Sequence, residues 1–303
     1  MFTTILEPHI VQIDLRPAGF DNFIASYVVK AERVAIVETG PSATVPNLLA
    51  GLEEIEVKVN DVDFVVISHI HIDHGGGAGA LLHHLPRAKL VVHKKGAPHA
   101  AYPQKLWSQS LQVLGGVAEI YEEPMPVAED RVLAAEDGMT IDLGGGVQLL
   151  VIETLGHASH HQSFYEAKSR GVFPGDAAGV YLPQHNAVIP TTPPPFYLAA
   201  ALSSLEKLIQ FKPKSLFYSH FGRTSDAVQK LEMYGRKLKL WEKIVSLKTK
   251  ETSDLKEIRK AIEEHDLDLQ KAQDYIKTHF IFNQSTVSES IHGFVEYLKK
   301  KRT

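Results

Sequence analysis

Four short apolar runs in this chain each lead into a side chain that can bind a metal, and that recurrence limits the possible folds more than any other feature. Phe64-Val65-Val66-Ile67 runs into His69, and Val147 to Ile152 passes through Glu153-Thr154-Leu155-Gly156 into His157. Val172-Phe173 leads through Pro174-Gly175 to Asp176, and Leu216-Phe217-Tyr218-Ser219 leads to His220. Runs of this length, rich in β-branched and aromatic residues and closed by glycine, proline or serine, read as strands. Ligand-type residues at the ends of several strands imply that the loops at one sheet edge converge, so the chain reads as an α/β protein with a site at that edge.

The first run opens the densest cluster, Ser68-His69-Ile70-His71-Ile72-Asp73-His74-Gly75-Gly76-Gly77. Imidazole and carboxylate suit zinc, iron and manganese, and a catalytic zinc takes about three protein ligands plus an open position. In an extended segment His69, His71 and Asp73 point to one side, so a turn at Asp73 is expected to bring in His74. The glycines after it let the chain bend close to an ion. A histidine-rich solvated loop is the bland reading, and the three matching strand-end contexts at His157, Asp176 and His220 speak against it. Together these seven residues suffice for two sites that share one carboxylate.

Around these strands the pattern turns helical. Val45, Leu48, Leu49, Leu52 and Ile55 fall at helical spacing after Gly40-Pro41, as do Leu198, Leu202, Leu205 and Ile209 after the prolines at 193–195. Residues 97–116, with Leu106, Trp107, Leu111 and Leu114, read as a helical insertion whose stripe is expected to be core. Beyond Arg223 four stripes follow: Leu231, Leu238, Trp241 and Val245; Leu255 to Ile262; Leu269 to Phe280; and Ile291, Phe294, Val295 and Leu298 behind a capping box, Thr286-Val287-Ser288-Glu289. The expected division is a catalytic domain over 1–224 and an α-helical extension over 225–303, the extension walling a pocket and joining two subunits.

The motifs together resemble the metallo-β-lactamase superfamily: His-x-His-x-Asp-His at 69–74, Thr154-Leu155-Gly156-His157, Gly175-Asp176 and Ser219-His220-Phe221-Gly222. The resemblance spans about residues 10–224 and implies an αβ/βα sandwich, two mixed β-sheets flanked by helices, here with a C-terminal helical extension. It implies His69, His71 and His157 on one metal, Asp73, His74 and His220 on a second, and Asp176 bridging. One motif departs: Glu38-Thr39-Gly40 stands where the family usually has aspartate. In the family that carboxylate orients a ligand histidine, a role within glutamate's longer reach.

The implied cofactors are two divalent transition-metal ions, zinc first, with iron, manganese and cobalt also compatible. The implied activity is that of a dinuclear hydrolase, in which a metal-bridging hydroxide attacks a small ester, thioester, lactone or phosphodiester. Asp73 is the expected catalytic side chain, orienting the nucleophile or carrying a proton to the leaving group. The alternative is an oxidoreductase resembling the mononuclear iron persulfide dioxygenases. His71 speaks against a flavodiiron protein, where glutamate stands, and Gly179 occupies the position at which quorum-quenching lactonases commonly carry tyrosine. Glyoxalase II and related thioesterases also add C-terminal helices.

Composition agrees with a soluble enzyme. The chain has 303 residues, 44% of them hydrophobic, enough for a large core, and it has no cysteine for a disulfide framework. Residues 225–303 carry 16 Lys and Arg against 13 Asp and Glu, and residues 1–224 carry 16 against 23, so no basic stripe points to nucleic acid. Nowhere do about eighteen apolar residues run together, which argues against a membrane span. Met1-Phe2-Thr3-Thr4-Ile5-Leu6-Glu7-Pro8 lacks the basic start and apolar run of a secretory signal, so a cytoplasmic location is expected. Tyr181 and His185 follow the bridging aspartate closely enough to be candidates for substrate contact. His160 and His161 read as structural, and His9, His83, His84, His93, His99, His265, His279 and His292 as non-ligands.

Overall fold

The computed structural model of the protein describes residues 1–282 and 286–302. Seven strands form the first sheet in sequential order: β1 (Thr3–Glu7), β2 (Ile10–Asp14), β3 (Ala25–Lys30), β4 (Val34–Val37), β5 (Val62–Val66), β6 (Lys89–His93) and β7 (Val132–Ala135). The first four pair antiparallel and the last three join in parallel, so the sheet is mixed. β4, Val-Ala-Ile-Val, is buried along its whole length, as a strand covered on both faces must be. Helix α1 (Val45–Glu54) buries Val45, Leu48 and Leu52, with Leu49 and Ile55 at the margin. Gly51 lets α1 close on the sheet, since a Cβ there would lie 2.5 Å from Ile13 Cγ2.

Helix α2 (Ala78–His84) follows β5, and α3 (Ala97–Ala101), α4 (Gln104–Leu114) and α5 (Gly116–Tyr121) fill the insertion between β6 and β7. The stripe expected to be core does not bury: no residue of α4 is buried, and Leu111 is 37% exposed. Gly115 takes a left-handed φ of 52°, open to glycine, and breaks the helix there. The buried side chains come instead from α5, namely Val117, Ala118 and Tyr121.

The second sheet begins with β8 (Thr140–Gly144), β9 (Val147–Glu153), β10 (Gln162–Glu166) and β11 (Gly171–Phe173). A separate ribbon, β12 (Val180–Leu182) and β13 (Ala187–Ile189), comes next, and β14 (Ser215–Tyr218) and β15 (Gly222–Thr224) complete the sheet in the order β15-β14-β11-β10-β9-β8. β9 and β11 both run antiparallel to β10, and β14 runs parallel to β11. These three strands therefore share a direction, and their C-terminal ends lie at one sheet edge. Tyr27, Val37, Val66 and Val91 of the first sheet form a single buried cluster with Leu149, Val151, Phe164, Phe173 and Phe217 of the second. Tyr27 meets Phe173 edge-on at 5.3 Å, a favoured ring geometry. Each such large side chain stabilises by about 1.5–3 kcal/mol through burial.

The chain divides into two compact units. One comprises 1–153, 160–175 and 214–225 and holds both sheets with α1–α5; the other comprises 154–159, 176–213 and 226–303. Within the second unit, α6 (Leu198–Gln210), α7 (Ala227–Lys248), α8 (Leu255–Glu263), α9 (Leu267–Lys271), α10 (Gln273–Thr278) and α11 (Val287–Arg302) accompany the ribbon. α7 buries Leu231, Leu238, Trp241 and Val245, α8 buries Ile258 and Ile262, and α11 buries Ile291, Phe294 and Leu298, matching three of the four stripes. The third stripe breaks in two, because Asp266 caps α9 and the chain leaves helical geometry at Ala272, where ψ is 5°. Lys237 Nζ sits 2.8 Å from both Asp266 and Asp268, Trp241 Nε1 donates to Asp266 at 2.7 Å, and the Val188 N–H of the ribbon donates to Asp268. Among the described residues no helix is long and apolar enough to cross a membrane.

Candidate metal centre

β5 delivers the histidine cluster, and the chain then turns earlier than alternation suggested. The His71 carbonyl accepts the N–H groups of both His74 and Gly75, at 3.0 and 2.9 Å, so the turn starts at His71 and not at Asp73. An intraloop hydrogen bond wins over an extended backbone, and as a result His71 and Asp73 belong to different donor groups. The turn needs glycine at 76, where a Cβ would lie 2.2 Å from the Ile72 carbonyl oxygen.

Within the first unit Asp73, His74 and His220 come together. The Nε2 atoms of His74 and His220 are 3.2 Å apart, and Asp73 Oδ2 lies 3.5 Å from His220 Nε2 and 3.9 Å from His74 Nε2. Donors about 2.0–2.1 Å from a tetrahedral ion stand about 3.3–3.4 Å from one another, which is the size of this triangle. The tautomers agree. His220 Nδ1 donates to the Phe23 carbonyl at 3.0 Å, and His74 Nδ1 faces the Glu38 carboxylate at 3.5 Å. With the ring proton on Nδ1, the two Nε2 lone pairs and the Asp73 carboxylate are three acceptors facing one point, an arrangement that suits a cation. The residues present therefore fit a divalent ion.

Glu38 is 2% exposed and is held at a left-handed φ of 66° just beyond β4. Its Oε1 accepts the Ser68 N–H at 3.2 Å and the Ser219 hydroxyl at 3.3 Å, which aims Oε2 at His74. In the same unit His69 Nε2 lies 2.9 Å from His71 Nδ1, while His69 Nδ1 meets the Ser68 hydroxyl at 2.9 Å. His161 and His160 pack on His69, at ring separations of 4.9 and 6.1 Å. Burial, together with the charge of Asp73, holds the Tyr121 phenol well above its ordinary range, so it stays protonated.

Within the second unit His157 and Asp176 form a further pair, Nε2 to Oδ2 at 3.4 Å. His157 Nδ1 donates to the Thr191 carbonyl at 2.9 Å, which again leaves the lone pair on Nε2. Thr191 Oγ1 also donates to Asp176 Oδ2 at 3.4 Å. Tyr181 lies on β12, its hydroxyl 3.4 Å from Asn186 Oδ1 and its ring under Lys230 Nζ at 5.1 Å. His185 packs on Tyr275 at a ring separation of 5.8 Å. Of the other histidines, His9 meets Glu166 at 3.0 Å, His93 meets Glu153 at 2.9 Å, and His265 Nδ1 meets the Ala261 carbonyl at 2.8 Å.

Sequence reasoning missed Ser68, Phe23 and Thr191. Ser68 could have been found from its place directly before His69. Phe23 and Thr191 act through main-chain carbonyls, which no residue type advertises.

A family model described as the metallo-beta-lactamase superfamily matches residues 19–220. The chain belongs to that superfamily. The metallo-beta-lactamase fold-containing protein ST1585 of Sulfurisphaera tokodaii is 31% identical over 216 residues, which cover 70% of this chain and 78% of the relative. A solved structure of ST1585, from Sulfolobus tokodaii, superposes with a TM-score of 0.65 at 26% identity, covering 88% of this chain and 98% of that one. The metallo-beta-lactamase family protein TTHA1429 of Thermus thermophilus gives 0.69 at 21% identity over 98% and 95% of the two chains, a likeness of fold. The metallo-beta-lactamase fold expected from the motifs, with mixed sheets flanked by helices and extra C-terminal helices, is thereby established.

Proposed function

We propose that this superfamily member is a dinuclear metal-dependent hydrolase of small ester, thioester, lactone or phosphodiester substrates. The observation that carries the reading is the Asp73-His74-His220 triangle, with donor separations of 3.2–3.9 Å and His220 Nδ1 on the Phe23 carbonyl. In this proposal His69, His71 and His157 hold one ion, Asp73, His74 and His220 the other, and Asp176 both. The His69–His71 and His157–Asp176 separations, 2.9 and 3.4 Å, suit ligands of a common ion. Membership of a superfamily made up mostly of hydrolases supports the reaction class.

Two such ions, when bound, supply Lewis acidity and lower the pKa of coordinated water, zinc being the first candidate. The chain's own residues do the rest. Glu38 and the Phe23 carbonyl fix the imidazoles, which preorganises the donors before substrate arrives. Asp73 has a side chain that is 27% exposed, against 0% for His74, and is the ligand placed to pass a proton to a leaving group. Tyr181 and His185 remain proposed substrate contacts. The proposal also retains a catalytic portion over 1–224, an extension over 225–303, a homodimer through that extension and a cytoplasmic location.

Elemental analysis of purified protein beside a panel of thioester, lactone, phosphodiester and persulfide tests the reading. Two ions per chain are expected, with hydrolysis of both carboxylic and phosphate esters. Asp176→Ala is expected to abolish the two activities together. A single iron with oxygen uptake on persulfide and no hydrolysis would overturn it.

A further inference from the structure

In the second unit the residues that hold His157 and Asp176 are themselves held by the last helix, α11. The connecting segment is Pro190-Thr191-Thr192, directly after β13. On one side Thr191 gives its carbonyl to His157 Nδ1 at 2.9 Å and its hydroxyl to Asp176 Oδ2 at 3.4 Å. On the other side three contacts fix the same segment. The Thr192 N–H donates to Ser290 Oγ at 3.1 Å, and Thr192 Oγ1 donates to the Ser290 carbonyl at 3.0 Å. Ser290 Oγ lies 2.8 Å from the Pro190 carbonyl, and Ser290 is 1% exposed.

The approach of α11 to this segment is as close as a peptide chain permits. A Cβ on Gly293 would lie 1.7 Å from the Thr192 carbonyl oxygen, so any larger residue displaces main chain, not a flexible side chain. Thr191 and Thr192 thus form a strap two residues wide, with ligand side chains on one side and buried helix groups on the other.

We propose that α11 positions the metal ligands His157 and Asp176 through this strap, with Ser290 and Gly293 as positioning residues that set metal affinity without touching the ion. The inference rests on the dinuclear reading and assigns the helical extension a specific task within it. A carbonyl that orients a ligand imidazole acts through ring direction, so a displacement of the strap turns the ring away from its ion.

The test is metal affinity by chelator competition, with the cobalt d–d spectrum as a second readout, on the full chain. Gly293→Ala, Ser290→Ala and Thr191→Val are compared with Ile262→Ala, which opens a cavity in α8 and lowers the melting temperature without changing a residue of the strap or of α11. The three strap variants are expected to lose affinity for one of the two ions by about 10- to 100-fold and to alter the cobalt spectrum. Ile262→Ala should keep both ions at parental affinity. If the parent takes up two ions and the strap variants bind them as tightly, or Ile262→Ala weakens binding as much, this inference alone falls. A parent that takes up no metal overturns both it and the dinuclear reading. Thr191→Val preserves side-chain shape and removes only the hydroxyl, so it keeps the test open should Gly293→Ala fail to fold.

Discussion

At residue 38 the methylene that glutamate has beyond aspartate is taken up by the backbone and by two anchors. The left-handed φ of 66° and the hydrogen bonds from Ser68 and Ser219 leave Oε2 opposite His74 Nδ1. A carboxylate there both fixes the tautomer and raises the basicity of Nε2. Glu38→Gln keeps the volume but removes the charge and can turn an amide N–H against Nδ1–H. Zinc affinity at the Asp73-His74-His220 set is expected to fall by about 10- to 100-fold, measured by competition with a chromophoric chelator. Affinity equal to the parent's would show that Glu38 serves only the loop.

The helices of the second unit are tied by charge as well as by apolar packing. Burial by itself would raise the Asp268 carboxyl, yet the Lys237 ammonium and the Val188 N–H hold it below the usual value of 3.8. A carboxyl depressed in the folded state contributes fully above its unfolded pKa and loses that contribution as pH falls through the lower folded value. The melting temperature is therefore expected to fall as the pH drops below about 4, and the drop should be shallower in Asp268→Asn. Lys237→Met leaves Asp266 buried without its counter-charge and Asp268 with only Lys271 at 3.8 Å, a loss of about 3–5 kcal/mol measurable by urea unfolding at neutral pH. An unchanged midpoint would mean that water reaches the pair.

The second unit gathers 154–159, 176–213 and 226–303, so the C-terminal helices fold with two stretches that carry His157 and Asp176. A chain ending at Ser225 lacks Trp241, Phe294 and Ser290, the buried partners of that unit. Such a chain is expected to bind a hydrophobic dye, unfold without cooperativity and lose metal, as read by fluorescence, calorimetry and elemental analysis. A truncated protein that stays soluble and fully loaded would make the extension dispensable. Sedimentation of the full chain tests the dimer separately, since a monomer would remove the subunit-joining role and leave the ligand-holding one intact.

The local code alone determined the strands and their ligand ends. β5, β9, β11 and β14 occur where alternation, β-branching and terminal glycine or proline place them, because strand formation and turn chemistry act over a few residues. The candidate ligand residues were legible for the same reason, as histidine and aspartate recur at so many strand ends. Their grouping was not. The turn at His71 depends on two main-chain hydrogen bonds, and the anchoring of His157 and His220 depends on the carbonyls of Thr191 and Phe23, 34 and 197 residues away. Burial of the α4 stripe was misjudged because periodicity records that a face is apolar and not whether anything covers it. Tertiary packing decided each of these points, since a main-chain carbonyl or a covering surface is supplied by distant segments and leaves no mark in the residues it serves.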